Sequence, residues 1–262
     1  MEGYFEYRIH DGVRAYPPNT HYHQDYEVYY LTEGKCRYFI GSKTYSMNPG
    51  DLVLIPPGVI HKVQYETPTH SRQLINCTAD YLPPSARKHL VGIFYFPTAL
   101  DTAEQFSLLF NRLRKADSDR DIFYADTVRC LGMELFLLLA RSAATIPDIG
   151  SSSFVENAIY YIQSRYNDRV TLTDTAKHCA VSPEHLSRVF KKETGFGFNE
   201  YLNLYRLKKA ESMLKNGSKK TVAQVALACG FSDSNYLSAA YKKLHGISPS
   251  QVKKRAFPQE NP

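Results

Sequence analysis

Residues 171–201 and 221–252 are two copies of one segment. TLTDTAKHCAVS lies over TVAQVALACGFS, and LSRVFKKETGFGF lies over LSAAYKKLHGISP after a one-residue insertion. Ala176 matches Ala226, Cys179 matches Cys229, Leu186 matches Leu237, Phe190 matches Tyr241 and Gly195 matches Gly246. A duplication of this length restricts the fold more than any composition does, because the same parts must build one supersecondary unit twice. Each copy reads as helix, short turn, helix. Ser182 is an N-cap followed by Pro183 at the first helical position, and Asp233 is the equivalent cap in the second copy.

Each second helix has two faces at helical spacing. Leu186, Val189 and Phe190 form the apolar face of the first copy; Leu237, Ala240, Tyr241 and Leu244 form that of the second. Opposite them stand Glu184, Ser187, Arg188 and Lys191, then Asn235, Ser238, Ala239 and Lys242. Side chains of the second kind hydrogen-bond base edges, and lysines near the helix end meet phosphates. That is a helix-turn-helix layout, in which the second helix enters the major groove. Residues 199–216 read as one connecting helix through Tyr201, Leu204, Leu207, Ala210 and Leu214, closed by Asn216-Gly217. A rigid connector would hold two reading heads about 34–36 Å apart, one turn of duplex.

The charge agrees with a polyanion partner. The net charge of +6 comes from 32 Lys+Arg against 26 Asp+Glu. Residues 1–150 carry 15 basic and 17 acidic side chains, whereas residues 151–262 carry 17 and 9. All the excess positive charge therefore lies with the duplication.

At this point the chain resembles the DNA-binding domain of the AraC/XylS family of bacterial transcription regulators. The resemblance rests on Ala176, Ser182, Leu186, Arg188, Phe190, Lys191, Gly195, Arg206, Leu207, Ala210, Leu214, Ala226, Gly230, Phe231, Tyr236, Lys242, Gly246 and Ser248-Pro249-Ser250. It implies promoter DNA and RNA polymerase as partners, activation as the default, and a DNA-binding domain over residues 154–256. The implied DNA-contacting residues are Glu184, Ser187, Arg188, Lys191 and Lys192, then Ser234, Asn235, Ser238, Lys242 and Lys243. Ala239 stands where the family often has Arg, and Leu237 and Tyr241 where it usually has Phe. The first copy is therefore expected to dominate base readout, with Arg188 aimed at guanine.

Upstream, residues 20–80 read as short strands. Tyr26–Leu31, Cys36–Ile40, Lys43–Met47, Asp51–Ile55 and His61–Gln64 are separated by Glu33-Gly34, Gly41-Ser42, Asn48-Pro49-Gly50 and Pro56-Pro57-Gly58. Turn signals at this interval suggest an antiparallel sandwich or barrel. Residues 99–145 change to helical spacing. One stripe runs through Phe106, Leu109, Phe110 and Leu113, another through Val128, Leu131, Leu135, Leu138 and Leu139, with polar Asp117–Asp121 between. These stripes suit core packing or a dimer surface. Residues 146–153 fall in the small-residue stretch TIPDIGSSS and read as a linker.

Six of the nine histidines and most of the 20 tyrosines lie in the first half, and tryptophan is absent. His21 and His23 stand two apart, followed by Glu27; on a strand both rings would share a face. Together with the stretch from Gly50-Asp51 to His61, this resembles the two cupin motifs. Ala15 replaces the upstream Gly of the first, and Tyr65 the Asn that ends the second. The resemblance implies a small double-stranded β-barrel over residues 1–98. It also implies a divalent-metal set of His21, His23, Glu27 and His61, whose donors suit Fe, Mn, Ni, Cu or Zn. Regulators of the AraC type commonly keep such histidines for an organic effector. The expected effector residues are accordingly His21, His23, Glu27, Tyr29, Tyr38 and His61. Tyr16, Tyr22, Tyr26 and Phe39 are further aromatics suited to stacking on a sugar ring.

The expected protein is thus two-domain α+β. A cupin-like barrel with two helices binds a small polar effector, most simply a carbohydrate, and an all-α domain with two helix-turn-helix motifs binds promoter DNA. A homodimer is expected. The alternatives are a cupin metalloenzyme or a metal-responsive regulator. Five scattered cysteines without a CxxC pair, no apolar run long enough to span a bilayer, and an amino terminus without a basic-then-apolar leader point to a cytoplasmic protein with no membrane partner, and the regulator reading makes it non-enzymatic.

Overall fold

A computed structural model of the chain describes residues 3–15, 22–90, 92, 94–143, 154–215 and 220–256. They fall into two units, Met1–Gly150 and Ser151–Pro262. Residues 146–153, read above as a linker, lie outside the described residues.

The first unit runs β1 (Phe5–Arg14), β2 (Tyr26–Glu33), β3 (Cys36–Ile40), β4 (Lys43–Met47), β5 (Leu52–Ile55), β6 (His61–Tyr65), β7 (Thr69–Cys77), α1 (Pro84–Arg87), β8 (Phe94–Phe96), α2 (Ala103–Asp119) and α3 (Tyr124–Ala143). The strands form two antiparallel sheets, β1-β7-β2-β5-β8 and β4-β3-β6. The five strands read from sequence are present; β1, β7 and β8 are additional. The expected polar break between the two helices is displaced. α2 continues to Asp119, and the chain turns at Arg120, whose φ of 38° is left-handed.

β2 is buried on both faces from Tyr26 to Leu31. Its alternation explains why. Tyr29 and Leu31 look between the sheets, where they meet Cys36, Tyr38 and Ile40 of β3 and Val53 and Ile55 of β5. Val28 and Tyr30 look the other way, onto α2 and α3. There Tyr30 stacks on Phe110 at 4.3 Å between ring centroids and 7° between planes. The stripes Phe106, Leu109, Phe110, Leu113 and Leu131, Leu135, Leu139 are therefore core, packed on the larger sheet. Each such fully buried side chain contributes about 1.5–3 kcal/mol.

One buried carboxylate ties the turn before β5 to the segment after β8. Asp51 accepts from the Asn48 and Thr98 backbone amides and from the Tyr95 hydroxyl, each at 2.8 Å. The turn needs Gly50, which has φ 92° and would place a Cβ 2.3 Å from Thr98 Cγ2.

The second unit is α4 (Phe154–Arg165), α5 (Leu172–His178), α6 (Pro183–Thr194), α7 (Phe198–Lys215), α8 (Val222–Ala228), α9 (Ser234–His245) and α10 (Pro249–Ala256). The expected connecting helix is α7, one residue earlier at each end; Asn216-Gly217 lie outside the described residues. No helix among the described residues is long and apolar enough to cross a membrane.

Candidate ligand pocket and nucleic-acid interface

The two sheets enclose a carboxylate. Glu27 on β2 is 7% exposed and faces inward. It accepts from the Tyr38 hydroxyl of β3 at 2.8 Å, from Asn76 of β7 at 3.4 Å and from His23 Nε2 at 3.1 Å. His23 precedes the strand that carries Glu27. β2 starts at Tyr26, and a bend at Gln24-Asp25 turns the imidazole back onto Glu27. The first residue of β6 then adds His61. Gly58 donates its amide to the His23 carbonyl at 2.6 Å, and the two imidazoles meet edge to face at 4.9 Å.

Hydrogen bonds set the protonation of this group. His23 Nδ1 lies 2.9 Å from the Asp25 carbonyl and His61 Nδ1 lies 2.8 Å from that of Val59. A carbonyl only accepts, so both Nδ1 atoms carry hydrogen. His23 can then also donate from Nε2 to Glu27 only as an imidazolium. Burial opposes that charge, yet the bond to Glu27, its negative charge and the Asp25 carbonyl raise the His23 pKa. Burial likewise opposes the Glu27 carboxylate. The His23 bond, the positive fields of His61 and His23 and the Tyr38 hydroxyl win, and hold it well below the usual carboxylate range. Burial pushes the Tyr29 and Tyr38 phenols far up, so both remain donors.

Alternation sorts the tyrosines. Tyr29 and Tyr38 face the inter-sheet space with rings 5.0 Å apart, Tyr26 faces the helix layer, and Phe39 lies on the other face of β3 from Tyr38. Tyr22 is buried. His21 and Tyr16 lie outside the described residues. The ligating atoms of His23, Glu27 and His61 all fall within 4.8 Å of one another, so three of the four residues expected for a metal converge. Their fit to an ion is chemical: two imidazoles oriented through Nδ1 by backbone carbonyls present Nε2 beside a carboxylate. Sequence reasoning missed Asn76, and with it His70 and Arg72. All three alternate along β7 onto the inward face, a period-two signal legible in THSRQLINC once that stretch is taken as a strand.

In the second unit both motifs assemble as the duplication requires. Thr171 and Thr221 cap α5 and α8 through the amides of Asp174 and Gln224, and Gln224 completes a capping box. Ser182 caps α6 through the His185 amide at 3.2 Å, and Asp233 caps α9 through the Asn235 and Tyr236 amides, each at 2.8 Å. Leu186 and Phe190, and Leu237 and Tyr241, are buried. Glu184, Ser187, Arg188, Lys191 and Lys192 are exposed on α6; on α9 Asn235, Lys242 and Lys243 are exposed, and Ser234 and Ser238 are partly so. Arg188 is joined to His185 at 3.2 Å, one helical turn away. α7 serves both cores. Tyr201 packs on Phe190 and Phe196, while Leu207, Ala210 and Leu214 join Val225, Leu237 and Tyr241.

A buried polar cluster between two sheets, followed by two capped helix-turn-helix motifs on a shared helix, defines a transcription regulator with a ligand-binding and a DNA-binding domain. Residues 6–122 match the family model of the AraC-like ligand binding domain, and residues 175–255 match that of a helix-turn-helix domain. The chain belongs to the AraC family of transcription regulators. It is 24% identical over 252 residues to the HTH-type transcriptional activator RhaS of Escherichia fergusonii, covering 91% of this chain and 88% of that protein. It is 41% identical over 99 residues to YijO of Escherichia coli, an uncharacterized HTH-type regulator, covering 38% of this chain and 35% of that one. Among solved structures it is similar to ToxT from Vibrio cholerae, with 13% identity, a TM-score of 0.42, and coverage of 97% and 98% of the two chains.

Proposed function

We propose that this chain is a cytoplasmic, non-enzymatic activator. In this reading it binds promoter DNA as a homodimer, contacts RNA polymerase, and responds to a small polar effector, most simply a carbohydrate, held between the two sheets. The observation that carries the reading is the pair of solvent-facing polar surfaces on α6 and α9, each opposite a buried apolar face and each capped at its amino end. Glu184, Ser187, Arg188, Lys191 and Lys192 read one half of the site; Ser234, Asn235, Ser238, Lys242 and Lys243 read the other. Ala239 offers no base contact, so α6 supplies most of the specificity. His21, His23, Glu27, Tyr29, Tyr38 and His61 hold the effector. Glu27 accepts from effector hydroxyl groups, and the two phenols would donate to them by turning from Glu27 and Tyr65, a pairing suited to vicinal diols.

Dimerisation falls to the outward side of α2 and α3, since the inward stripes are core. Leu108 there is 57% exposed and lies in a groove bordered by Arg112, Glu134, Leu137 and Arg141. Binding of effector to one arrangement of the ligand-binding domain would bias the presentation of the DNA-binding domain by population shift. The test is a gel-shift selection from random oligonucleotides with the full chain, repeated with candidate effectors. Enrichment of a two-part site whose affinity changes with effector supports the reading; no enrichment overturns it.

A divalent ion at His23, Glu27 and His61 is a second reading, favoured by their convergence within 4.8 Å. An ion would supply open coordination positions for an oxygen ligand, with His21 as its fourth protein donor. His23 would then lose its Nε2 proton, so metal titration in weak buffer should release acid.

A further inference from the structure

Four basic side chains line adjacent positions of β1 and β7. The pairing sets His10 opposite Arg72 and Arg8 opposite Leu74. Leu74 packs between the sheets, and Asn76 reaches Glu27 from the same face, so alternation brings Arg72 and His70 onto that face too. Both are buried: His70 is 1% exposed and Arg72 is 5% exposed. His70 stacks on Tyr65 of β6 at 3.5 Å, and the Arg72 guanidinium stands 5.7 Å over the same ring. Arg72 donates to His70 Nε2, which leaves the ring hydrogen on Nδ1. His10 Nε2 is buried without a hydrogen-bond partner among the described residues. Arg8 reaches Asn76 Oδ1 at 3.0 Å and links this row to the Glu27 group.

The acids flanking the row are engaged. Glu6 pairs with Arg8 at 3.3 Å, Asp11 pairs with Arg114, and Glu33 accepts from Ser71 at 2.5 Å. Burial, with Arg72 and His10 beside it, pulls the His70 pKa down to about 4; burial, Arg72 and Arg8 lower that of His10 as well. At neutral pH the row is two guanidiniums beside two neutral imidazoles. A guanidinium fork matches the paired oxygens of a carboxylate or phosphate, and its strength there is greatest where water is excluded.

We propose that this row is the charge-reading end of the pocket and that the effector carries an oxyanion, held by Arg72 with His10 and His70. The effector is then a sugar acid or sugar phosphate rather than a neutral sugar. This deepens the effector reading above and rests on it.

The experiment is titration calorimetry and thermal shift on the full chain with matched sets across the common hexoses: a uronate, its uronamide, the parent hexose and the hexose phosphate. In a set that binds, the anionic members should bind about tenfold or more tighter than the uronamide and hexose. The uronate and phosphate arms say which oxyanion is read. Arg72→Gln should erase the preference. His10→Gln, at a partly exposed position that folding tolerates, should weaken the anion severalfold and leave any neutral member unchanged. Neutral members binding as tightly as the anions would overturn the inference and leave the effector reading standing. So would wild-type anion affinity in both variants. A panel in which nothing binds would overturn both.

Discussion

The guanidinium of Arg206 lies against the backbone of Gly230. Its Nε donates to the Tyr166 carbonyl at 2.7 Å and its Nη2 to that of Asp168 at 2.9 Å. A Cβ on Gly230 would stand 3.0 Å from both nitrogens and 2.6 Å from the Tyr166 oxygen. Gly230 also has φ 78°, while the matching Ala180 of the first copy has φ 56°. The duplicated turn accepts a side chain in one copy and excludes it in the other. Gly230→Ala should therefore destabilise the protein by about 2 kcal/mol or more, combining left-handed strain with the clash. Ala180→Gly should stay within about 1 kcal/mol of the parent, because relief of strain offsets added chain entropy. Urea unfolding followed by helical circular dichroism measures both.

Arg188 is exposed on α6, six residues past its cap Ser182. Arg188→Ala should cost about 1–3 kcal/mol at the selected site and relax base preference there. A loss equal on all sequences would mark it as a phosphate contact.

Lys191 and Lys242 sit in the last turns of α6 and α9. Replacing either with Ala should weaken every duplex alike and flatten the salt dependence of the binding constant by about one unit. Fluorescence anisotropy across a salt series gives the slope, and an unchanged slope counts against phosphate contact.

His23 and Glu27 are tested together. Glu27→Gln removes the negative partner of the His23 imidazolium and should lower stability by about 1–3 kcal/mol. His23→Ala should abolish the effector-dependent change in DNA affinity while the affinity without effector stays within severalfold. A response that survives His23→Ala would place the sensor elsewhere.

His70 makes the ligand-binding domain acid-sensitive. Its folded pKa, about 4, lies below the ordinary 6.5. Protonation therefore favours the unfolded chain as pH falls below 6.5, and stability is lost progressively toward about 4. His10, lowered in the same direction by burial, Arg72 and Arg8, adds to the slope. Thermal midpoints measured downward from neutral pH should fall, and His70→Gln should fall less steeply over the upper part of that range.

The second unit was legible because its signals are local. Caps such as Ser182 and Asp233, and the burial of Leu186 and Leu237, follow from residues three or four apart. The candidate pocket was legible only in part. Glu27, Tyr29 and Tyr38 sit on strands with clear alternation, but His23 reaches Glu27 through a bend that no periodicity records. β1 was hidden by its irregularity. Its register shifts between His10 and Val13, so no clean alternation runs through it. β7 was hidden for another reason: His70, Arg72 and Asn76 face inward, so its polar pattern is inverted relative to a strand with a dry interior.

In the proposed reading, the helices α2 and α3 need no dedicated messenger to learn what occupies the pocket. Along β2, Tyr29 belongs to the chamber and Tyr30, the very next residue, is pressed flat on Phe110. A strand buried on both sides has little slack, so a shift of its backbone at Tyr29 would be carried to Tyr30 and the helix layer. The wall of the chamber and the lever that leaves it are one piece of backbone.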